Sequence, residues 1–131
     1  MLVGIIGSGQ SGLVTCKTFI EKNIDVIVFE KNRYNGLFYK IKEKKYFTWS
    51  SSKYISGFTD FPIPKNYPTW MNINNYTNYL DEYKNKFDLD KYIKYNTEVI
   101  KCVETDNNKW KIFYKINNKL YVKIVDKLIV C

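Results

Sequence analysis

Six residues, Gly7-Ser8-Gly9-Gln10-Ser11-Gly12, follow directly on the apolar run Leu2 to Ile6. A carboxylate, Glu30, closes a second apolar run eighteen positions after Gly12. These residue types at this spacing can grip a phosphorylated nucleotide. Gly7 lets the backbone turn sharply off a strand, Gly9 has no Cβ to block a pyrophosphate, and Gly12 lets a helix lie close against a sheet. The helix start offers free N–H groups and partial positive charge to phosphates. A carboxylate at the tip of the second strand can accept hydrogen bonds from ribose hydroxyls. On physics alone the pattern says dinucleotide. No arginine follows Glu30, which argues against a 2′-phosphate at this position, an argument that Lys31 weakens slightly.

Those residues need a strand, a turn, a helix and a second strand to hold them. Leu2 to Ile6 reads as the first strand, and a helix is expected from about Ser11 to Lys22, with Leu13, Cys16, Phe19 and Ile20 on its apolar face. Ser11 is placed to cap that helix and to meet a phosphate, and Asn23 supplies its stop. Val26 to Phe29 has the continuous apolar character of a parallel strand covered on both faces. A loop around Asn35-Gly36 comes next, then a short strand over Tyr46 to Trp49 and a polar turn over Ser50 to Ser52. The segment Gly57 to Pro68 holds three prolines, which exclude regular structure, while its aromatics argue that it packs down. A helix opens at Asn74 or Asn75 and runs to about Phe87, with Tyr76, Leu80, Tyr83 and Phe87 as a core stripe. From Tyr95 the period switches to two. Thr97 to Glu104, Trp110 to Ile116 and Leu120 to Val125, separated by asparagine-rich turns, make a three-stranded antiparallel meander. Leu128 to Cys131 reads as a last buried strand. The fold class is α/β, with a parallel Rossmann-like sheet plus that meander.

Composition closes other routes. The 131 residues suit one domain, 18% aromatic content makes a packed core feasible, and the net charge of +8 comes almost wholly from scattered lysines. Scattered lysines favour a solvated surface over a nucleic-acid face, so no nucleic-acid partner is expected. The chain has no histidine, which excludes histidine-based triads and general bases. Its three cysteines, Cys16, Cys102 and Cys131, have no paired spacing, so neither a disulfide framework nor a metal site is expected, and a reduced cytoplasmic setting fits. No run is long and apolar enough for a signal peptide or membrane segment.

With these stretches in order, the chain resembles the N-terminal FAD-binding portion of the flavin-containing monooxygenases, within the two-dinucleotide-binding flavoproteins. The resemblance rests on the glycine loop, Phe29-Glu30-Lys31, Gly36-Leu37-Phe38, Ser50-Ser51-Ser52-Lys53, and Asp60-Phe61-Pro62-Ile63-Pro64 with Tyr67-Pro68. Tyr79 to Phe87, Tyr95 to Val99 and Leu128 to Cys131 continue it. It implies an enzyme that uses NADPH to reduce FAD and oxygenates a soft nucleophile. By that resemblance Gly7, Ser8, Gly9, Gln10, Ser11 and Gly12 form the pyrophosphate loop. Glu30 binds ribose and Lys31 lies beside the adenosine. Leu37 and Phe38 approach the flavin side, Ser50 and Ser51 meet flavin and NADP, and Val99 borders the adenine.

This sequence departs from the family pattern in places. Phe38 stands where tryptophan is usual, the loop before it is one glycine shorter, and Ser50 replaces an asparagine whose amide a hydroxyl copies with shorter reach. The family's NADPH-binding glycine motif and C-terminal segments have no counterpart within residues 1–131. The expectation is therefore one incomplete, truncated FAD-binding domain spanning 1–131, with no catalytic residue assigned and a second polypeptide as one source of the rest. The alternative is a non-catalytic module that holds FAD or another adenine nucleotide.

Overall fold

The computed structural model describes residues 1–42 and 47–131. The expected strand start at Tyr46 lies outside the described residues. In chain order the elements are β1 (Leu2–Ile6), α1 (Gln10–Ile20), β2 (Asp25–Phe29), α2 (Gly36–Lys40), β3 (Thr48–Ser52), α3 (Lys53–Ser56), β4 (Trp70–Asn72) and α4 (Ile73–Lys86). A single 3₁₀ turn, Asp90–Tyr92, leads into β5 (Ile93–Lys94), followed by β6 (Glu98–Glu104), β7 (Trp110–Ile116), β8 (Lys119–Val125) and β9 (Lys127–Val130).

The central sheet has the order β5-β2-β1-β9, and every pair in it is parallel. Side chains alternate across it, as strand geometry requires. Val3, Ile5, Val26 and Val28 face a core shared with Leu13 and Cys16 of α1 and with Tyr76, Tyr79, Leu80 and Tyr83 of α4. Leu2, Ile27 and Phe29 face the other way, onto Ile112, Tyr114 and Val125 of the meander. The Phe29 and Tyr114 rings lie 5.1 Å apart. Gly4 makes this second layer possible, because a Cβ there would lie 2.8 Å from Ile112 Cδ1. The apolar strand runs are thus covered on both faces, by helices on one side and by the β6-β7-β8 sheet on the other.

Several boundaries differ from the sequence reading. Helix α1 starts at Gln10, one residue early, and its N-cap is Gly9 with no side-chain bond. Ser11 is therefore not the cap; it lies inside the first turn. Asn23 does end the helix. It takes a left-handed φ of 57°, and Asn23 N–H and Ile24 N–H donate to the carbonyls of Ile20 and Phe19. Helix α4 opens at Ile73 because Asn72 and Asn75 form a reciprocal cap, with bonds of 2.9 and 3.2 Å. Ser50 to Ser52 are strand rather than turn, since β3 pairs antiparallel with β4. The proline segment is irregular and packed down as expected: Phe58 N–H donates to the Tyr79 hydroxyl at 2.7 Å, and that hydroxyl donates to the Phe61 carbonyl at 2.6 Å. Asp60 in this segment pairs with Lys17 of α1. The meander matches within a residue or so. Asn117 and Asn118, with φ of 48° and 62°, make the two-residue turn between β7 and β8.

Candidate functional site

A cleft of about 530 Å³ opens at the C-terminal ends of β1, β2 and β9, where the strand order reverses about β1. In open α/β sheets this is where ligands bind. Its walls include Gly7, Gly9, Glu30, Lys31, Leu37 and Val99. Six of the thirteen residues singled out in the sequence therefore meet there, carried by four separate stretches of chain.

The glycines do different jobs. Gly7 has φ 94°, which favours glycine. Gly12 lies so close to the turn that a Cβ would fall 2.0 Å from the Gly7 carbonyl oxygen. Gly9 faces the cleft, and a Cβ there would project to within 3.7 Å of Gly36 Cα. Gly36, with φ 75°, packs directly on Gly9, and its own Cβ would lie 2.7 Å from Gly9 Cα. The two glycine backbones are thus in contact, and a side chain at position 36 would push them apart. The first helical bond is Leu13 N–H to the Gly9 carbonyl at 2.9 Å, so the N–H groups of Gln10, Ser11 and Gly12 precede the intrahelical ladder. With no side chain capping it, this helix end can serve an anion.

Glu30 anchors the loop. Its Oε2 accepts from the Ser8 N–H at 2.9 Å and from the Ser8 hydroxyl at 2.8 Å. Its Oε1 accepts from the Asn32 N–H at 2.9 Å and the Asn32 side-chain amide at 3.1 Å. Ser8 is fully buried, so its hydroxyl points away from the cleft and into the fold. Behind it, Asn35 Nδ2 donates to Ser8 Oγ at 3.0 Å. Asn35 Oδ1 accepts from Lys84 Nζ of α4 at 3.4 Å and lies 3.1 Å from the Tyr95 hydroxyl. That hydroxyl and Lys84 also engage Asp90, at 2.8 and 3.1 Å, and hold its carboxyl below the usual carboxylate range. A polar chain, buried at Ser8 and Asn35 and opening to solvent at Asp90, therefore runs from the glycine loop to the end of α4.

The other singled-out residues fall elsewhere. Gln10 and Ser11 lie in the first turn of α1 outside the cleft walls, with Ser11 exposed. Phe38 packs edge-on against Trp49 and Tyr76, at 4.7 and 5.4 Å, in the aromatic core. Ser50 and Ser51 lie on β3 and do not border the cleft. Sequence reasoning did not single out Asn32, Lys40, Thr97 and Glu98 of the walls, nor Asn35 behind them. The Asn35-Gly36 pair signalled a loop, but its approach to Gly9 is a long-range contact with no local signature. Among the described residues no three histidine, cysteine, aspartate or glutamate side chains cluster as a metal site, and no helix is long and apolar enough to cross a membrane.

Comparison with known proteins places these observations. Residues 2–131 match the flavin-binding monooxygenase-like family. The chain is 30% identical to dimethylaniline monooxygenase (N-oxide-forming) 2 of Macaca mulatta and 29% identical to flavin-containing monooxygenase 2 of Homo sapiens. Each alignment covers 98% of this chain and 26% of the relative, so the chain spans about a quarter of their length. Among solved structures, the S-allyl-L-cysteine S-oxygenase of Allium sativum superposes with a TM-score of 0.88 at 18% identity, over 99% of this chain and 36% of that one. Cyclohexanone monooxygenase from Rhodococcus sp. Phi1 bound to NADP+ superposes with a TM-score of 0.87 at 19% identity, over 100% of this chain and 26% of that one. At such identities these two structures speak for the fold alone.

Proposed function

The chain belongs to the flavin-binding monooxygenase-like family, and from that membership we propose that it supplies the adenosine–diphosphate end of an FAD site in a flavin-dependent monooxygenase. The observation that carries this is the convergence of Gly9, Glu30, Lys31 and Val99 on one cleft at the strand ends. The residues fit the group. Gly9 at the cleft wall leaves the loop backbone bare toward a diphosphate, and the uncapped first turn of α1 would meet its charge. Lys31 and Lys40 at the cleft wall add positive potential. Glu30 and Val99 share the cleft wall, where Glu30 would take the ribose hydroxyls and Val99 would border the base. When bound, FAD would supply the redox chemistry, taking electrons from NADPH and delivering oxygen to a soft nucleophile. This chain's own residues would bind and orient the nucleotide half. Positions for Leu37, Phe38, Ser50 and Ser51 toward the flavin rest on the family resemblance.

One observation favours a second reading, an adenine-nucleotide-binding module without oxygenase activity of its own. Of the flavin-side candidates only Leu37 borders the cleft. Titrating the protein with FAD, ADP and FMN separates the readings. The FAD reading expects FAD to bind, ADP to compete with it, and FMN to bind much more weakly. Equal affinity for FAD and ADP would favour the module. FMN binding as tightly as FAD, or no competition by ADP, would sink the assignment of this cleft to the adenosine end.

A further inference from the structure

The acid at the heart of the cleft is fully engaged by its own chain. An ionised carboxylate offers about four lone-pair positions, and Glu30 receives four donors, two from Ser8 and two from Asn32. Glu30 is also only 3% exposed. A ribose hydroxyl can reach it only by displacing one of those donors. Both Ser8 donors are buried, and the hydroxyl is held from behind by Asn35. The Asn32 N–H belongs to backbone fixed by Asn96, whose N–H donates to the Asn32 carbonyl at 3.1 Å. The fourth donor differs from the other three. The Asn32 side-chain amide makes the longest of the four bonds, 3.1 Å, and belongs to a half-buried residue on the cleft wall. It can rotate into the cleft without disturbing the core.

We propose that the Asn32 side-chain amide is a place-holder for ribose. In the free protein it fills the acceptor position on Glu30 Oε1 that a hydroxyl of a vicinal-diol sugar takes when an adenine nucleotide binds. Asn32 thereby sets the affinity for the sugar and keeps the Glu30 charge satisfied between ligands, which a buried carboxylate requires. The inference rests on the reading that this cleft takes an adenine nucleotide.

The test is calorimetric titration of the whole chain and of Asn32→Ala with ADP and with 2′,3′-dideoxy-ADP. Alanine keeps the backbone N–H bond to Oε1 and removes only the competing amide. Asn32→Ala should bind ADP about three- to tenfold more tightly, because the fraction of protein with Glu30 open rises. The two proteins should bind the dideoxy nucleotide alike, since no hydroxyl then competes with the amide. Asn32→Ser, whose hydroxyl is too short to copy the amide's reach, should show the same gain. Unchanged or weaker ADP binding by both variants would overturn the proposal and make Asn32 a bystander or a direct contact. An equal gain on both nucleotides would overturn it too, because the effect would then come from the loop and not the sugar. If no protein bound ADP, the cleft reading would fall and this inference with it.

Discussion

The adenosine end of the proposed site and the stretch proposed for its flavin end are built by different means. At the first, Gly7, Gly9 and Glu30 owe their positions on the cleft wall to a local strand–turn–helix–strand unit, in which Gly12 packs against the Gly7 carbonyl. At the second, Phe38, Ser50 and Ser51 come from short elements whose placement depends on partners far along the chain. Phe38 answers to Trp49 and Tyr76, and β3 answers to β4. A motif confined to one supersecondary unit keeps its local geometry, because the residues that hold it are close in sequence. A motif that relies on distant packing partners transfers only as far as those partners do.

Substitutions can break or sharpen that contrast. The largest effect is expected from Gly12→Val, whose branched side chain would have to displace the turn or the helix. It should destabilise the fold by about 3 kcal/mol and lower ADP affinity more than tenfold, as read by denaturant unfolding and titration. Retained ADP binding would show that the loop is not held by local packing. Phe38→Ala removes half-buried ring contacts with Trp49 and Tyr76 and should cost about 2 kcal/mol. It should leave ADP affinity within about twofold, because the ring lies outside the cleft walls. A large loss of ADP binding would erase the contrast between the two ends.

Asn35→Ala is the intermediate case, since it cuts the link between Ser8 and α4. It should cost about 1–2 kcal/mol by leaving buried partners short of a bond, with a several-fold loss of ADP affinity. The loss of affinity should be smaller for Asn35→Ala in a Ser8→Ala background if the two act through one hydrogen bond. The smallest effect concerns Asp60, which ties the proline segment to α1. The Lys17 ammonium lowers its carboxyl pKa below the ordinary value. Since the folded pKa lies below the unfolded one, the contribution is present above the usual carboxylate pKa and lost as pH falls through the folded value. Asp60 is partly exposed, so solvent screens the pair. Asp60→Asn should lower Tm by about 2 °C at neutral pH, and the difference should vanish in acid. A constant difference across pH would assign the effect to packing instead.

Residues with local causes were the legible ones. The glycine turn, the Asn23 helix stop, the Asn117-Asn118 hairpin and the Tyr76–Leu80–Tyr83 stripe all follow from backbone preference or periodicity within a few residues. The errors have equally particular causes. Ser11 looked like a cap because serine favours that position, but the Gly7 turn brings the helix start forward to Gly9. Ser50 to Ser52 looked like a turn because serine clusters usually are one, but pairing with β4 overrides weak local preference. Helix α4 begins at Ile73 and not at Asn74 or Asn75 because Asn72, Asn74 and Asn75 offer equivalent starts and the reciprocal bonds select Asn72.

By itself the sequence determined the α/β class, the crossover that opens the chain and the identity of the acid at its tip, since steric freedom at glycine and strand periodicity act over short spans. Tertiary structure alone decided that Ser8 turns inward, that Gly36 meets Gly9, that Asn35 joins the loop to α4, and that Asn32 covers the carboxylate it neighbours. These depend on which surfaces come to rest against each other when the sheet is covered on both faces, and on the need of every buried polar atom for a partner once water is excluded.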